Sequence, residues 1–212
     1  MKINLSGAGK RYNREWIFRT ATLEFLPGAS YAITGPNGSG KSTLLQSIGG
    51  MLHLSEGSVS YFKDDQPLEG EKAFRYLSFC APYLEVIEEM TLVELLEFHR
   101  HFKPLLPGIS PAQVIEIVDL KAAAHKQIRY YSSGMKQRVK LAQAIFSDTP
   151  VVLLDEPCSN FDAKGIALYH SLIADYCSGR TVIVCSNDEV EYNFCQEVIP
   201  VTRFKKSPSP FL

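Results

Sequence analysis

An α/β fold, with a helical lobe inserted between about 83 and 135, is predicted from three features of the sequence. Val151-Val152-Leu153-Leu154 is a short, wholly apolar run, the pattern of a strand buried on both faces of a parallel sheet. A glycine-rich segment, Gly35 to Thr43, lies between a strand-like run and a helix-like one. From Thr91 the apolar period becomes helical, with Leu92, Leu95, Leu96 and Phe98 on one face and Glu94 and Glu97 off it.

The remaining elements follow in order. Residues 2–31 read as short strands at Lys2–Leu5, Trp16–Phe18 and Ala21–Phe25, with Pro27-Gly28 turning into the strand Ser30–Thr34. Leu44–Ile48 reads as the first turns of a helix that ends at Gly49-Gly50. Gly57–Tyr61 and Phe74–Phe79 are further strands. Pro104, Pro107 and Pro111 interrupt the helical region, and Ser110 caps a second helix carrying Val114, Ile115, Ile117 and Val118. A third helix runs from about Ser133 to Phe146. After the 151–154 strand come a helix around 163–177, a strand at 181–185, a short helix near 188–194 and a strand near 198–202. Ser207-Pro208-Ser209-Pro210 reads as a frayed tail.

A chain of 212 residues suits one core, or one core with a smaller lobe. The net charge of −1, with no dominant Lys/Arg cluster, argues against nucleic acid as a partner. The five cysteines lack metal-ligand spacing and several sit in apolar runs, so they read as buried reduced thiols, which suits the cytosol. His99 and His101 do not share a helix face and read as solvent-exposed. No signal-type apolar core and no run of membrane-spanning length is evident, so a soluble chain is expected, with any membrane role through a partner.

Gly35-Pro36-Asn37-Gly38-Ser39-Gly40-Lys41-Ser42-Thr43 matches G-x-x-x-x-G-K-[ST]. Its glycines let backbone N–H groups turn inward around phosphates, and the following helix N-terminus adds partial positive charge. Lys41 can reach the β- and γ-phosphates, and the Ser42 hydroxyl can ligate Mg²⁺. A glycine-rich turn would share the composition, but the strand-loop-helix setting points to a nucleoside triphosphate. Asp155-Glu156 closes the buried strand with adjacent carboxylates, suited to a metal's water shell and to polarising an attacking water. Ser132-Ser133-Gly134-Met135 opens a helix and on its own is compatible with an ordinary cap.

Over essentially its whole length the chain resembles the ATP-binding-cassette family. Gly35 to Thr43 resembles the Walker A motif, Ser132 to Gln137 the LSGGQ signature, Asp155 and Glu156 Walker B with the catalytic glutamate, and Ser159 to Asp162 the D-loop. The resemblance implies a P-loop NTPase core with a mostly parallel sheet (about 1–82 and 136–206), an N-terminal antiparallel β subdomain and a helical subdomain (about 83–135). It implies ATP and Mg²⁺ as cofactors, with Ser42 and Asp155 on the metal, and Tyr12 stacked on adenine, although a Tyr there also suits surface packing. It further implies a head-to-tail dimer, homo- or heterotypic, in which Ser132, Ser133, Gly134 and Met135 act on the partner's nucleotide. An integral membrane permease would hold the chain on the inner face of the cell membrane.

Three positions depart from the family pattern. Asn187 stands where a histidine usually contacts the γ-phosphate, and Pro82 stands near the usual metal-ligating glutamine. Ser133 replaces the signature's first glycine, which is expected to tighten that loop's backbone. Loss of one positioned polar group commonly costs about 100- to 1000-fold in rate. The expectation is therefore a slow ATPase with Glu156 and Asn187 as catalytic residues; the alternative is a regulatory switch or a degenerate half of a heterodimer. Residues Tyr83–Met90 either pack internally or face a permease helix.

Overall fold

The computed structural model describes residues 1–205; the proposed tail at 207–210 and the end of the proposed core at 206 lie outside the described residues. Five parallel strands form the central sheet: β3 (Ser30–Thr34), β6 (Leu77–Cys80), β7 (Val151–Asp155), β8 (Thr181–Cys185) and β9 (Glu197–Pro200). Their order is β6-β7-β8-β3-β9. An antiparallel sheet, β2-β1-β4-β5, is built from β1 (Lys2–Tyr12), β2 (Glu15–Phe25), β4 (Glu56–Lys63) and β5 (Gln66–Leu68).

Alternation along the central strands assigns their two faces. Val152 and Leu154 of β7, with Val182 and Val184 of β8, join one apolar cluster with α5 (Ser133–Ile145) and α6 (Ala163–Tyr176). Val151 and Leu153, with Ile183 and Cys185, face a second cluster formed with the antiparallel sheet and α1 (Lys41–Ile48). α3 (Leu92–His99) and α4 (Pro111–Ile117) bury Leu92, Leu95, Leu96, Val114 and Ile115 in the first cluster, so the helical lobe shares the core's apolar interior. Each begins at a capping box, Thr91 with Glu94 and Ser110 with Gln113.

Several elements depart from the sequence expectations. The N-terminal strands are not short: β1 and β2 form an 11-residue hairpin pair. Gly7, which looks like a breaker, sits at φ 56° where the β1 register shifts. A Cβ on the facing Gly57 would lie 2.4 Å from the Gly7 carbonyl oxygen, so the close approach needs glycine. Phe74-Arg75-Tyr76 is a 3-10 turn continuing α2 (Gly70–Ala73), and the strand starts only at Leu77. β5 pairs with β4 across Asp64-Asp65, both at positive φ. The helix expected near 188–194 is a 3-10 turn at Glu189–Glu191, and the last strand ends at Pro200. His99 is not solvent-exposed but half-buried, with Nε2 2.8 Å from Ser147 Oγ. All five cysteines are free, with Cys80, Cys177 and Cys185 buried. Among the described residues no helix is long and apolar enough to cross a membrane.

Arg180 ties the ends of α5 and α6 to the start of β7. Its buried guanidinium donates to the carbonyl oxygens of Thr149 (2.7 Å), Ile145 (2.5 Å) and Ser147 (2.9 Å), and to Thr149 Oγ1 (3.0 Å). These include a carbonyl of the last turn of α5, which has no partner inside its own helix. A lysine ammonium cannot reproduce this planar fork. Arg180→Lys is expected to lower stability by about 2–3 kcal/mol in urea unfolding, because buried carbonyls lose their donors.

Candidate active site

The parallel register brings the carboxyl ends of β3, β6, β7 and β8 to one edge of the sheet, where ligands of α/β folds bind. From β3 the chain enters Gly35 (φ 146°), turns at Gly38 (φ 72°) and Gly40 (φ 99°), and starts α1 at Lys41. A Cβ on Gly40 would stand 2.5 Å from Ile17 Cγ2, so the loop passes β2 too closely for any side chain there. Lys41 is buried, and its Nζ donates to the carbonyl oxygens of Gly35 (2.8 Å) and Pro36 (3.3 Å), across the mouth of the loop. Ile17, Asn37 through Thr43, and Glu156 line a cleft of about 260 Å³.

Asp155 ends β7 almost fully buried, paired in register with Cys185. Burial raises its pKa, hydrogen bonds from the Ser42 and Tyr83 hydroxyls oppose that rise, and the Glu156 charge adds to it. The Tyr83 hydroxyl donates to Asp155 Oδ2 at 3.1 Å, while Oδ1 has no hydrogen-bond partner among the described residues. A buried carboxylate with one orphaned oxygen, interacting with the Ser42 hydroxyl, is a donor set that fits hydrated Mg²⁺. Glu156 takes φ 43°, a left-handed conformation costing about 1–2 kcal/mol for an L residue. Its N–H donates to the Cys185 carbonyl at 2.9 Å, and the turn brings its side chain to the wall of the loop cleft.

The signature residues occupy different ground. Ser132 is the N-cap of α5, its Oγ accepting from Met135 N–H at 3.3 Å. Ser133 is the first residue of that helix, where any L residue fits, so the expected tightening of the loop does not arise. Gly134 is the constrained position: a Cβ there would lie 3.2 Å from the Asn160 carbonyl oxygen. Asp162 caps α6, accepting from Gly165 N–H at 2.8 Å. Ser132 to Met135 and Asn160 to Asp162 line a second open hollow of about 750 Å³, which shares no lining residue with the loop cleft.

Among the expected residues, Gly35, Pro36 and Asp155 lie just behind the loop cleft's lining, and Tyr12 and Asn187 lie off it. Tyr12 is exposed at the β1–β2 hairpin end, with Lys10 Nζ 5.2 Å from its ring centroid. Asn187 is exposed beyond β8. Two cleft neighbours escaped the sequence reading: Ile17, whose signal was its place on a strand preceding the loop, and Tyr83, which follows the metal-inert Pro82. In the segment Tyr83–Met90, Val86 and Met90 pack against the core as the internal-packing expectation has it, whereas Tyr83 and Ile87 are exposed.

A family model described as ABC transporter matches residues 18–159, which include the loop, the α5 N-terminus and Asp155-Glu156. The chain belongs to the ABC transporter family. It is an ATP-binding, ATPase-type nucleotide-binding domain of that family. An uncharacterized ABC transporter ATP-binding protein, YdbJ of Bacillus subtilis, is 28% identical over 95% of the chain, which spans 66% of YdbJ's length. The cytochrome c biogenesis ATP-binding export protein CcmA of Agrobacterium fabrum is 28% identical over 93% of the chain and 94% of its own length. Among solved structures, a dimeric post-hydrolysis state of the ATP-binding cassette MJ0796, bound to ADP and Pi, superposes with a TM-score of 0.76. It is 24% identical and covers 94% of each chain, a likeness of fold.

Ser132 has a measurable structural duty in this nucleotide-binding domain whatever lies opposite it. Ser132→Ala is expected to cost about 1 kcal/mol in urea unfolding through loss of the α5 cap, and Ser132→Asn to recover most of it.

Proposed function

We propose that this chain is the ATP-hydrolysing subunit of a transporter, driving a separate integral membrane permease by ATP-dependent closure of a dimer. The observation that carries this reading is the division of the site. The loop cleft with Glu156 and the hollow at the α5 N-terminus are separate concavities of one chain. A nucleotide gripped by the first would be completed by the second only from another copy or a related subunit. The dimeric state of the similar cassette MJ0796 supports the assembly. The name of CcmA, an ATP-binding export protein, supports export work for a chain of this length. In this reading the protein sits on the cytoplasmic face of the membrane, held there by the permease.

Each group has a task. Backbone N–H groups of the loop, other than that of Ser39, which donates to the Pro36 carbonyl at 3.0 Å, and the Lys41 ammonium would bind the phosphates and hold them in line. Ser42 and Asp155 would hold Mg²⁺, which when bound neutralises charge on the phosphate oxygens. Glu156 would accept a hydrogen bond from the attacking water and orient it. Ser132 and the α5 N-terminus would present a hydroxyl and N–H donors to the partner's terminal phosphate. Asn187, an exposed amide, offers a weaker contact than an imidazole, which supports a slow turnover.

Glu156→Gln is expected to reduce phosphate release at least about 100-fold while ATP affinity persists, and to accumulate an ATP-dependent dimer in light scattering. A fully active Glu156→Gln protein would sink the role given to this carboxylate. Asn187→His is expected to raise the phosphate-release rate; an unchanged rate would show that this position does not limit turnover.

A further inference from the structure

Asp155 has a hydrogen-bond partner on only one of its two carboxylate oxygens among the described residues. Its Oδ1 is buried without a partner among the described residues, whereas Oδ2 accepts from the Tyr83 hydroxyl at 3.1 Å. That hydroxyl accepts in turn from Gln46 Nε2 at 2.7 Å, so amide, phenol and carboxylate form a directed chain. Tyr83 is 48% exposed as a residue, yet its hydroxyl bonds the buried carboxylate at the strand end, a contact that packing of the ring alone would not require.

We propose that Tyr83 is a positioning residue for the metal-nucleotide complex, orienting Asp155 so that Oδ1 faces the hydrated Mg²⁺, with Gln46 acting through Tyr83. The three residues come from separate elements: Gln46 from α1 behind the phosphate loop, Tyr83 from the segment after β6, and Asp155 from β7. The main chain ahead of Tyr83 is fixed as well, because Lys140 Nζ donates to the Pro82 carbonyl at 2.6 Å. A hydrogen bond to one carboxylate oxygen restricts rotation about the Cβ–Cγ bond and leaves the other oxygen aimed at the ion. Removal of such outer partners typically costs about 10- to 100-fold in metal affinity.

This inference rests on the nucleotide-site reading, and the test separates the two. Mn²⁺ binding to the ADP-loaded protein is titrated by electron paramagnetic resonance, alongside metal-free ADP binding by calorimetry. The variants are Tyr83→Phe, Gln46→Leu and the double variant. Tyr83→Phe keeps the half-exposed ring and is expected to weaken Mn²⁺ about 10-fold with metal-free ADP affinity unchanged. Gln46→Leu is expected to lose less, and the double variant to match Tyr83→Phe, because Gln46 works through the phenol. Unchanged Mn²⁺ affinity in Tyr83→Phe, an equal loss of metal-free ADP binding, or additive losses in the double variant each overturn the proposal. A wild-type protein that binds no ADP overturns the nucleotide-site reading along with it.

Discussion

A carboxylate must stand at the end of a strand buried on both faces, and much of the site answers that constraint. β7 lies between β6 and β8, so the field around Asp155 is set by protein groups more than by water. Burial alone would drive the group towards its neutral form. Hydroxyls opposing this come from two places, Ser42 at the start of α1 and Tyr83 beyond β6. The phosphate loop, the entry to the helical lobe and the strand end are thereby coupled through one side chain. The same strand end produces the left-handed turn at Glu156, which is secured by the Cys185 carbonyl of the neighbouring strand.

α5 carries this coupling outward. Along one helix, Lys136 pairs with Glu88 at 2.5 Å, Gln137 donates to the Pro157 carbonyl at 2.8 Å, and Lys140 donates to the Pro82 carbonyl. The two segments that flank Asp155 in space are therefore fastened to the helix whose N-terminus carries Ser132. A shift of the segment after β6 would be felt at that N-terminus through the Lys136 and Lys140 contacts. Gln137 is buried and its amide bonds a main-chain carbonyl, so it works as an internal strut.

The features legible in the sequence were those fixed by local chemistry or strict periodicity. β7 and β8 were visible because both their faces are apolar, α3 because its apolar residues repeat at helical spacing, and α4 because Ser110 announces its cap. The phosphate loop was visible because its glycines and Lys41 are separated by fixed steps. What escaped depended on contacts distant in sequence. β1 continues through polar Ser6 and Lys10 because β2 and β4 pair with it on both sides. Tyr83 follows a proline that cannot ligate a metal, and only the fold turns its hydroxyl 72 positions along the chain onto Asp155. Ser133 looked like a strained replacement for glycine by comparison with the family signature, although the helix start was read at Ser133 itself; the tight contact belongs to Gly134.

These internal ties bear on how the two halves of the site could meet. Moving the α5 N-terminus over the chain's own phosphate loop would require the helix to leave Glu88, Pro82 and Pro157, and Val139, Leu141, Ala142 and Ile145 to leave the shared apolar cluster. Exposing even two such buried side chains costs about 3–6 kcal/mol before the polar contacts are counted. Bringing up a second copy leaves those contacts intact and asks only for association. These ties are compatible with the proposed completion of the nucleotide site between subunits, in which Tyr83 and α5 would carry a change at Asp155 to the surface that meets a partner.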